Sequence, residues 1–281
     1  MVRAARLASF IWRKWAQPRA LARLQDPPST YRSECPAGRR ASLLRNEPVA
    51  VDCACMCGRF GFSDVEKMPE RFSAARPLLI GPRYNAAPGQ DLPVVLREEG
   101  ENALALMRWG LVPSWARDEK IGYKMINARV ETVGERPSYR EPLQSRRCLV
   151  PANWFFEWKP ERVGPKTPYV IRRKDGALFA MAGLYDMWER AGEEVLRSFT
   201  IITRSPNAVA GVIHDRMPLI LQQDEEEVWL SADTKPLAFL KQVEPYPDSE
   251  MEVYPVSRLV NSAANDSPEL IRRAQPPPLF G

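Results

Sequence analysis

The sequence predicts an α+β domain of many short strands and few short helices, carried behind a basic, non-periodic extension. Three observations predict it. Runs of β-branched and aromatic residues recur from Leu92–Leu96 to Val253–Val256, the signature of half-buried or fully buried strands. Helical signals are confined to brief stretches. Charge also breaks near residue 55: residues 1–55 hold 10 Lys/Arg against 4 Asp/Glu, a net +6, so residues 56–281 hold 30 against 31, a net −1. The formal +5 of the whole chain is therefore no argument for bulk attraction to nucleic acid, and any basic surface on the domain must be local.

At 281 residues, 44% hydrophobic and 27% charged, the chain has room for a sizeable core. No apolar run reaches the roughly 18 residues of a membrane helix, and no membrane association is expected. The five cysteines, at 35, 53, 55, 57 and 148, make no disulfide framework and fit a reducing cytosol. Cys53-x-Cys55-x-Cys57 is spaced more tightly than the usual zinc pairs, and with one His in the chain no metal is expected. Met1–Trp15 is basic and free of acids, like an organellar transit peptide. Residues 16–55, with Pro27-Pro28, Pro36 and Gly38, read as disordered. A start codon assigned too far upstream accounts for the extension best, ahead of a cleaved leader or a functional basic arm.

The domain opens with Met56-Cys57-Gly58-Arg59-Phe60. If Cys57 is the mature N-terminus, its α-amine and thiol on adjacent carbons can attack an aldehyde twice, first to an imine and then to a five-membered thiazolidine. An internal Cys cannot do this; the plainer alternative is a small residue in a turn before a first strand. Ser63-x-x-Glu66 has capping-box spacing and predicts a helix to about Ala75, limited by Pro69. Arg83–Gly89 reads as a rigid loop, either a connection or a presentation of Pro88 as an apolar wedge. Leu92–Leu96 and Ala103–Trp109 predict a β-hairpin around residues 97–101. In the following loop Trp109 and Trp115 are core fillers, or one is a stacking platform.

Asn127-Ala128-Arg129-Val130-Glu131 puts an amide, a guanidinium and a carboxylate on alternate positions of an extended segment, hence on one face. That face is solvated, or it presents Arg129 to a phosphate. Cys148–Trp158 surrounds Glu157 with aromatic and aliphatic residues, where desolvation raises a carboxyl pKa and suits it to proton transfer; a strand-end Glu facing water is the alternative. Tyr169–Arg172, Leu178–Tyr185 and Ser198–Thr203 predict three more strands. His214, the sole His, lies in Ile213-His214-Asp215-Arg216 and is an acid/base candidate or a structural hydrogen bonder. Asp224–Leu230 and Pro236–Val243 predict short helices, Val253–Val256 a last strand, and Asn261–Gly281 a tail. No internal repeat or Gly-rich phosphate loop is present.

The motifs occur in a fixed order: Met-Cys-Gly-Arg-Phe at 56, Arg-Tyr-Asn-x-Ala-Pro at 83, Trp-Gly-Leu-x-Pro-x-Trp at 109, Asn-Ala-Arg-x-Glu-Thr at 127, Phe-Phe-Glu-Trp at 155, Ile-His-Asp-Arg-Met-Pro at 213 and Pro255-Val256-Ser257. Together they closely resemble the abasic-site processing, or SRAP (SOS response-associated peptidase), family over residues 56–281. The resemblance implies a mixed α+β fold with a twisted β-barrel-like core, peripheral short helices and a groove for single-stranded DNA. It implies that Cys57 bonds to the ring-opened aldehyde of an abasic site, that Asn127 positions amine and sugar, that Glu157 moves protons and that His214 assists ring opening. Arg59, Arg129 and Arg216 would hold phosphates, while Pro88, Trp109 and Trp115 would shape or wedge the DNA path.

The partner implied is abasic single-stranded DNA, met by a monomer in the cytoplasm and nucleoid during DNA damage, with no cofactor and no metal. Lyase and autoproteolytic activity belong to the same expectation. Two departures stand out. The family places its Cys directly after the initiator Met, whereas 55 residues precede Met56 here, and Pro113-Ser114-Trp115-Ala116 has one Trp where some members have two. The competing readings are a cysteine peptidase or self-processing hydrolase cutting before Cys57, and a non-catalytic single-strand binder relying on Arg and Trp.

Overall fold

The computed structural model describes residues 58–274 except 191 and 193; the expected extension over residues 1–55, Cys57 and Pro276–Pro278 lie outside the described residues. The most apolar segments of the chain close on themselves. β3 (Asp91–Glu98) and β4 (Glu101–Trp109) form the expected hairpin, in full register from Asp91–Arg108 to Glu98–Glu101. Its two-residue turn, Glu99-Gly100, has φ of 52° and 89°, the left-handed pair that matches the twist of a hairpin. β3 pairs antiparallel with β6 (Arg147–Ala152), β6 with β9 (Phe179–Trp188) and β9 with β10 (Leu196–Arg204). β10 then returns to β4 as a parallel neighbour at Ser198 and Phe199, so the five strands form a closed barrel and leave no exposed edge along the ring. β6 is buried at every residue, and β3, β9 and β10 along most of theirs, because one face fills the barrel and the other is covered. That is why β6, β9 and β10 read as continuous apolar runs, and why β3, expected to alternate, is buried on both faces.

A second, fully antiparallel sheet covers the barrel. Its order is β13 (Met251–Pro255), β8 (Thr167–Arg173), β7 (Trp154–Lys159), β1 (Arg59–Phe62) and β2 (Arg83–Ala86). Alternation splits its side chains. Phe60, Phe62, Phe155, Ile171 and Met251 join the barrel core, while Trp154, Phe156, Val170 and Tyr254 form a second cluster with Val260 and Leu270. Gly61 permits the second arrangement, since a Cβ there would lie 2.4 Å from the Trp154 indole, which instead lies flat beside Tyr84 at 5.7 Å and 23°. Val260 and Leu270 sit in the turns Arg258–Asn261 and Pro268–Ile271; residues 261–274, expected as tail, are part of the fold.

Three further expectations change. The Ser63–Glu66 capping box does not form: Asp64 precedes a short 3-10 turn without a side-chain cap, and Ser63 N–H donates to Asn153 Oδ1 at 2.9 Å. The helix then stops at Arg71: Ser73 turns to a left-handed φ of 50°, Ala74 N–H closes back on Pro69 O at 2.8 Å, and Asn102 Nδ2 at the start of β4 donates to Phe72 O at 2.9 Å. Arg83–Ala86 is a strand paired with β1 and not loop. The helix Pro137–Ser145 was not anticipated, though Pro137 at its first turn is a start signal. Buried Arg147 donates to the carbonyls of Leu143 and Gln144 at its end and to Trp229 and Ser231 at the end of the helix Gln223–Leu230, placing a cation where both helix dipoles favour one.

Candidate active site

Two backbone registers assemble the site. In the first, β1 pairs with β7 as Arg59–Phe156, Phe60–Phe155 and Gly61–Trp154, so the next step of the ladder sets Gly58 across from Glu157. Glu157 shares the inward face of Phe155 and is 2% exposed. The carboxylate is thus buried, as the aromatic sequence around it predicted, beside the residue that follows Cys57 in the chain. Arg59 goes to the other face by the same alternation. Its guanidinium donates to Asn85 Oδ1 at 3.0 Å, Val260 O at 3.1 Å and Asn261 O at 3.4 Å, and burial pushes its pKa down. Asn85 completes that knot through Nδ2, which donates to the carbonyls of Val260, Ser262 and Asn265.

The second register joins β5 (Asn127–Arg129) parallel to β10, with Asn127 beside Ile201 and Arg129 beside Thr203. Trp109 connects the two. Its Nε1–H donates to Ile126 O at 2.9 Å, its ring meets Phe60 edge-on at 5.0 Å and 61°, and it lies parallel to Phe199. At 1% exposure Trp109 has no face left for a base. The stacking reading of Trp109 is corrected: it fills the core and fixes where β5 begins. Trp115, 59% exposed, is the tryptophan that faces solvent. Its loop is pinned by Val112 N–H to Ser198 Oγ at 2.7 Å and Ser114 N–H to Asp186 Oδ2 at 3.0 Å. The loop returns to β5 through a crossing of Gly110 (φ 118°) with Gly122, where a Cβ on Gly110 would stand 2.7 Å from Gly122 O; only glycine permits it. Pro88 is half-buried in the turn before β3, which Gly89 N–H ties to Trp109 O at 2.8 Å.

Asn127 O accepts from Tyr139 Oη at 3.2 Å, and burial pushes the Tyr139 pKa up to about 12, keeping it a neutral donor. Ala128 is buried between half-buried Asn127 and exposed Arg129, so the expected period of two holds for these three residues. It ends there, because the chain turns after Arg129, Thr132 N–H closing back on Arg129 O at 3.1 Å. Glu131 therefore does not continue the face. It meets Arg216, whose Nη1 and Nη2 donate to its two carboxylate oxygens at 2.5 and 2.9 Å, with Nη2 also donating to Thr203 O at 2.7 Å. Those bonds hold the Glu131 carboxyl below its usual range. The Arg129 side chain is exposed and makes no hydrogen bond or salt bridge to another described residue.

His214 Nδ1 lies 3.1 Å from Arg216 N and 3.0 Å from Asp215 Oδ1. The two contacts need opposite states of that nitrogen: the backbone N–H requires a lone pair, and the carboxylate requires a proton. Asp215 is 86% exposed while the backbone amide is fixed in the turn, so the neutral ring with its proton on Nε2 fits the more rigid partner.

Glu157 is thus set across from Gly58; Asn127 and Arg129 lie on β5 beside Ile201 and Thr203 of β10, while the short strand β11 (Met217–Pro218) pairs with Thr203 and Arg204 of β10 and carries Arg216 just before it, with His214 tied to Arg216 through its backbone N–H. Arg59 stands apart on the outer sheet face. Sequence reading missed Asn85 and the Glu131–Arg216 pair, for no local signal reports a partner 175 or 85 residues away. A family model described as SOS response associated peptidase (SRAP) matches residues 56–263. Abasic site processing protein YoqW of Bacillus subtilis is 48% identical over 223 residues, spanning 77% of this chain and 99% of its own. Abasic site processing protein HMCES of Gallus gallus is 36% identical over 223 residues, spanning 68% of this chain and 66% of its own. A crystal structure of a protein from Bacteroides thetaiotaomicron superposes with a TM-score of 0.70 at 29% identity, over 78% of this chain and 100% of that one.

Proposed function

The chain belongs to the SOS response associated peptidase (SRAP) family, and from that premise we propose that it processes abasic sites in DNA, bonding Cys57 covalently to the ring-opened sugar in a single strand. The observation that carries the proposal is the β1–β7 register, which sets buried Glu157 across from the residue after Cys57. The α-amine of Cys57, once its preceding peptide is removed, attacks the sugar C1′ aldehyde and the carbonyl oxygen takes a proton. That oxygen leaves as water with a second proton, giving the imine. The Cys57 thiol adds to the imine carbon, its proton passes to nitrogen, and the thiazolidine closes. Glu157 is the group for these proton transfers. Asn127 orients amine and sugar from β5, and His214, carrying a proton on Nε2, donates to the ring oxygen as the sugar opens. Arg129 and Arg216 are the phosphate contacts beside β5, Arg129 being the one already open to solvent; Arg59, on the outer sheet face, would contact phosphate only by releasing the carbonyls of Val260 and Asn261. Trp115 and Pro88 line the strand path.

The test is incubation of the full chain with abasic and intact oligonucleotides, followed by denaturing separation and intact mass. A denaturation-resistant adduct that requires both the abasic site and Cys57, absent in Cys57→Ala, is expected. Adduct with intact DNA, or adduct retained in Cys57→Ala, refutes it. The family description as a peptidase favours a second reading that shares the site, hydrolysis of the peptide bond before Cys57; protein beginning at Cys57 after incubation of the purified full chain, and not in Glu157→Gln, is its expected sign.

A further inference from the structure

Resting on the proposed function, we infer that Glu131 is an internal competitor for DNA phosphate: its carboxylate occupies the fork of Arg216, and a backbone phosphate engages Arg216 by displacing it. Arg216 is only 11% exposed at the side chain, and of its two terminal nitrogens Nη2 is anchored inward by Thr203 O, itself buried. Glu131 is 48% exposed and covers the remaining, outward edge with two hydrogen bonds at 2.5 and 2.9 Å. The edge that faces solvent is thus the edge already filled. A carboxylate and a phosphate present the same paired-oxygen geometry to a guanidinium, so one can replace the other without moving Arg216 from Thr203. Neighbouring Arg129 is exposed, makes no salt bridge to another described residue and acts on Glu131 through its charge, and Arg204 adds positive charge close by, so an incoming phosphate meets further cations around the fork. Glu131 thereby taxes every strand that lacks enough other contacts, and determines how strongly intact DNA is held before any covalent step.

Non-covalent binding of random-sequence single strands, measured in a Cys57→Ala background across a salt series, tests this. Glu131→Gln keeps the shape and removes the charge. About tenfold tighter binding is expected, with a log–log salt slope steeper by about 0.7, the value for one more phosphate neutralised on a single strand. Both gains should vanish when Arg216→Gln is added. Unchanged or weaker binding of Glu131→Gln, with an unchanged slope in a protein that melts normally, overturns the inference and leaves the proposed function standing. Should Glu131→Gln fail to fold, Glu131→Asp, which shortens the carboxylate and loosens the fork, is expected to show a smaller gain, and no gain overturns the inference. Should the parent protein bind no DNA, the proposed function fails and inorganic phosphate decides the rest. At matched ionic strength it should raise the melting temperature of Glu131→Gln more than that of the parent, and an equal rise overturns the inference.

Discussion

Trp109, at the end of β4, and Trp115, in the loop after it, should respond to truncation in opposite ways. Trp109 is 1% exposed, donates its indole N–H to Ile126 O at 2.9 Å and touches Phe60 and Phe199. A buried Trp removes about 150–250 Å² from water, about 4–6 kcal/mol at 25 cal/mol/Å², an upper bound because the unfolded chain is not fully extended. Large-to-small measurements in cores give about 3–5 kcal/mol, which we adopt for Trp109→Ala. In a domain of this size that is a fall in Tm of about 6–20 °C. The hydrogen bond contributes only about 0.5–1.5 kcal/mol of it, since Ile126 O still accepts from Ile201 N–H at 3.1 Å; Trp109→Phe should therefore be much milder. Trp115, 59% exposed, should lose no more than about 1 kcal/mol of stability on change to Ala. Its loss should instead weaken single-strand binding by about 1–3 kcal/mol, the range for one base stacked on an aromatic ring. Urea unfolding and fluorescence anisotropy on the same two variants measure both quantities. The reasoning fails if Trp115→Ala is the more destabilised variant, or if Trp109→Ala keeps its stability and loses only DNA binding.

Glu157→Gln should slow single-turnover adduct formation by about 10²- to 10⁴-fold, the usual loss with a general acid or base, while non-covalent binding of intact strands stays within about twofold; an unchanged rate removes Glu157 from the chemistry. Arg173 donates to both oxygens of Asp175 and holds its pKa at about 2, against an ordinary 3.8. Because the folded value is the lower one, the pair stabilises above about pH 4 and its contribution is lost as pH falls from there toward 2. Over half of the Asp175 side chain is exposed, so solvent screening keeps the effect small, and Asp175→Asn should flatten this part of the Tm–pH curve. Identical curves for the two proteins would show that the pair is not coupled to folding.

The sequence by itself determined the elements whose signal is local. Runs of β-branched and aromatic residues marked β9 and β10, apolar alternation on either side of residues 97–101 marked the β3–β4 hairpin, and acids in an opening turn marked the helix Gln223–Leu230. The ordered motifs carried the family and the barrel-like core, and the aromatic setting of Glu157 marked it as buried. Tertiary structure alone decided the pairings. Nothing local says that β10 closes on β4 in parallel, that Arg83–Ala86 is a strand because β1 offers it an edge, or that residues beyond 261 cover the outer sheet. The two tryptophans, six residues apart in similar surroundings, differ because one ends a barrel strand and the other sits in a loop held off the core. The arginines differ likewise: Arg59 finds its carbonyls 201 and 202 residues away, Arg216 its carboxylate 85 residues away, and the Arg129 side chain neither among the described residues. Side-chain period reports which face of a strand is dry, whereas the partner that satisfies a guanidinium is chosen by whichever distant segment the closed sheets bring alongside it.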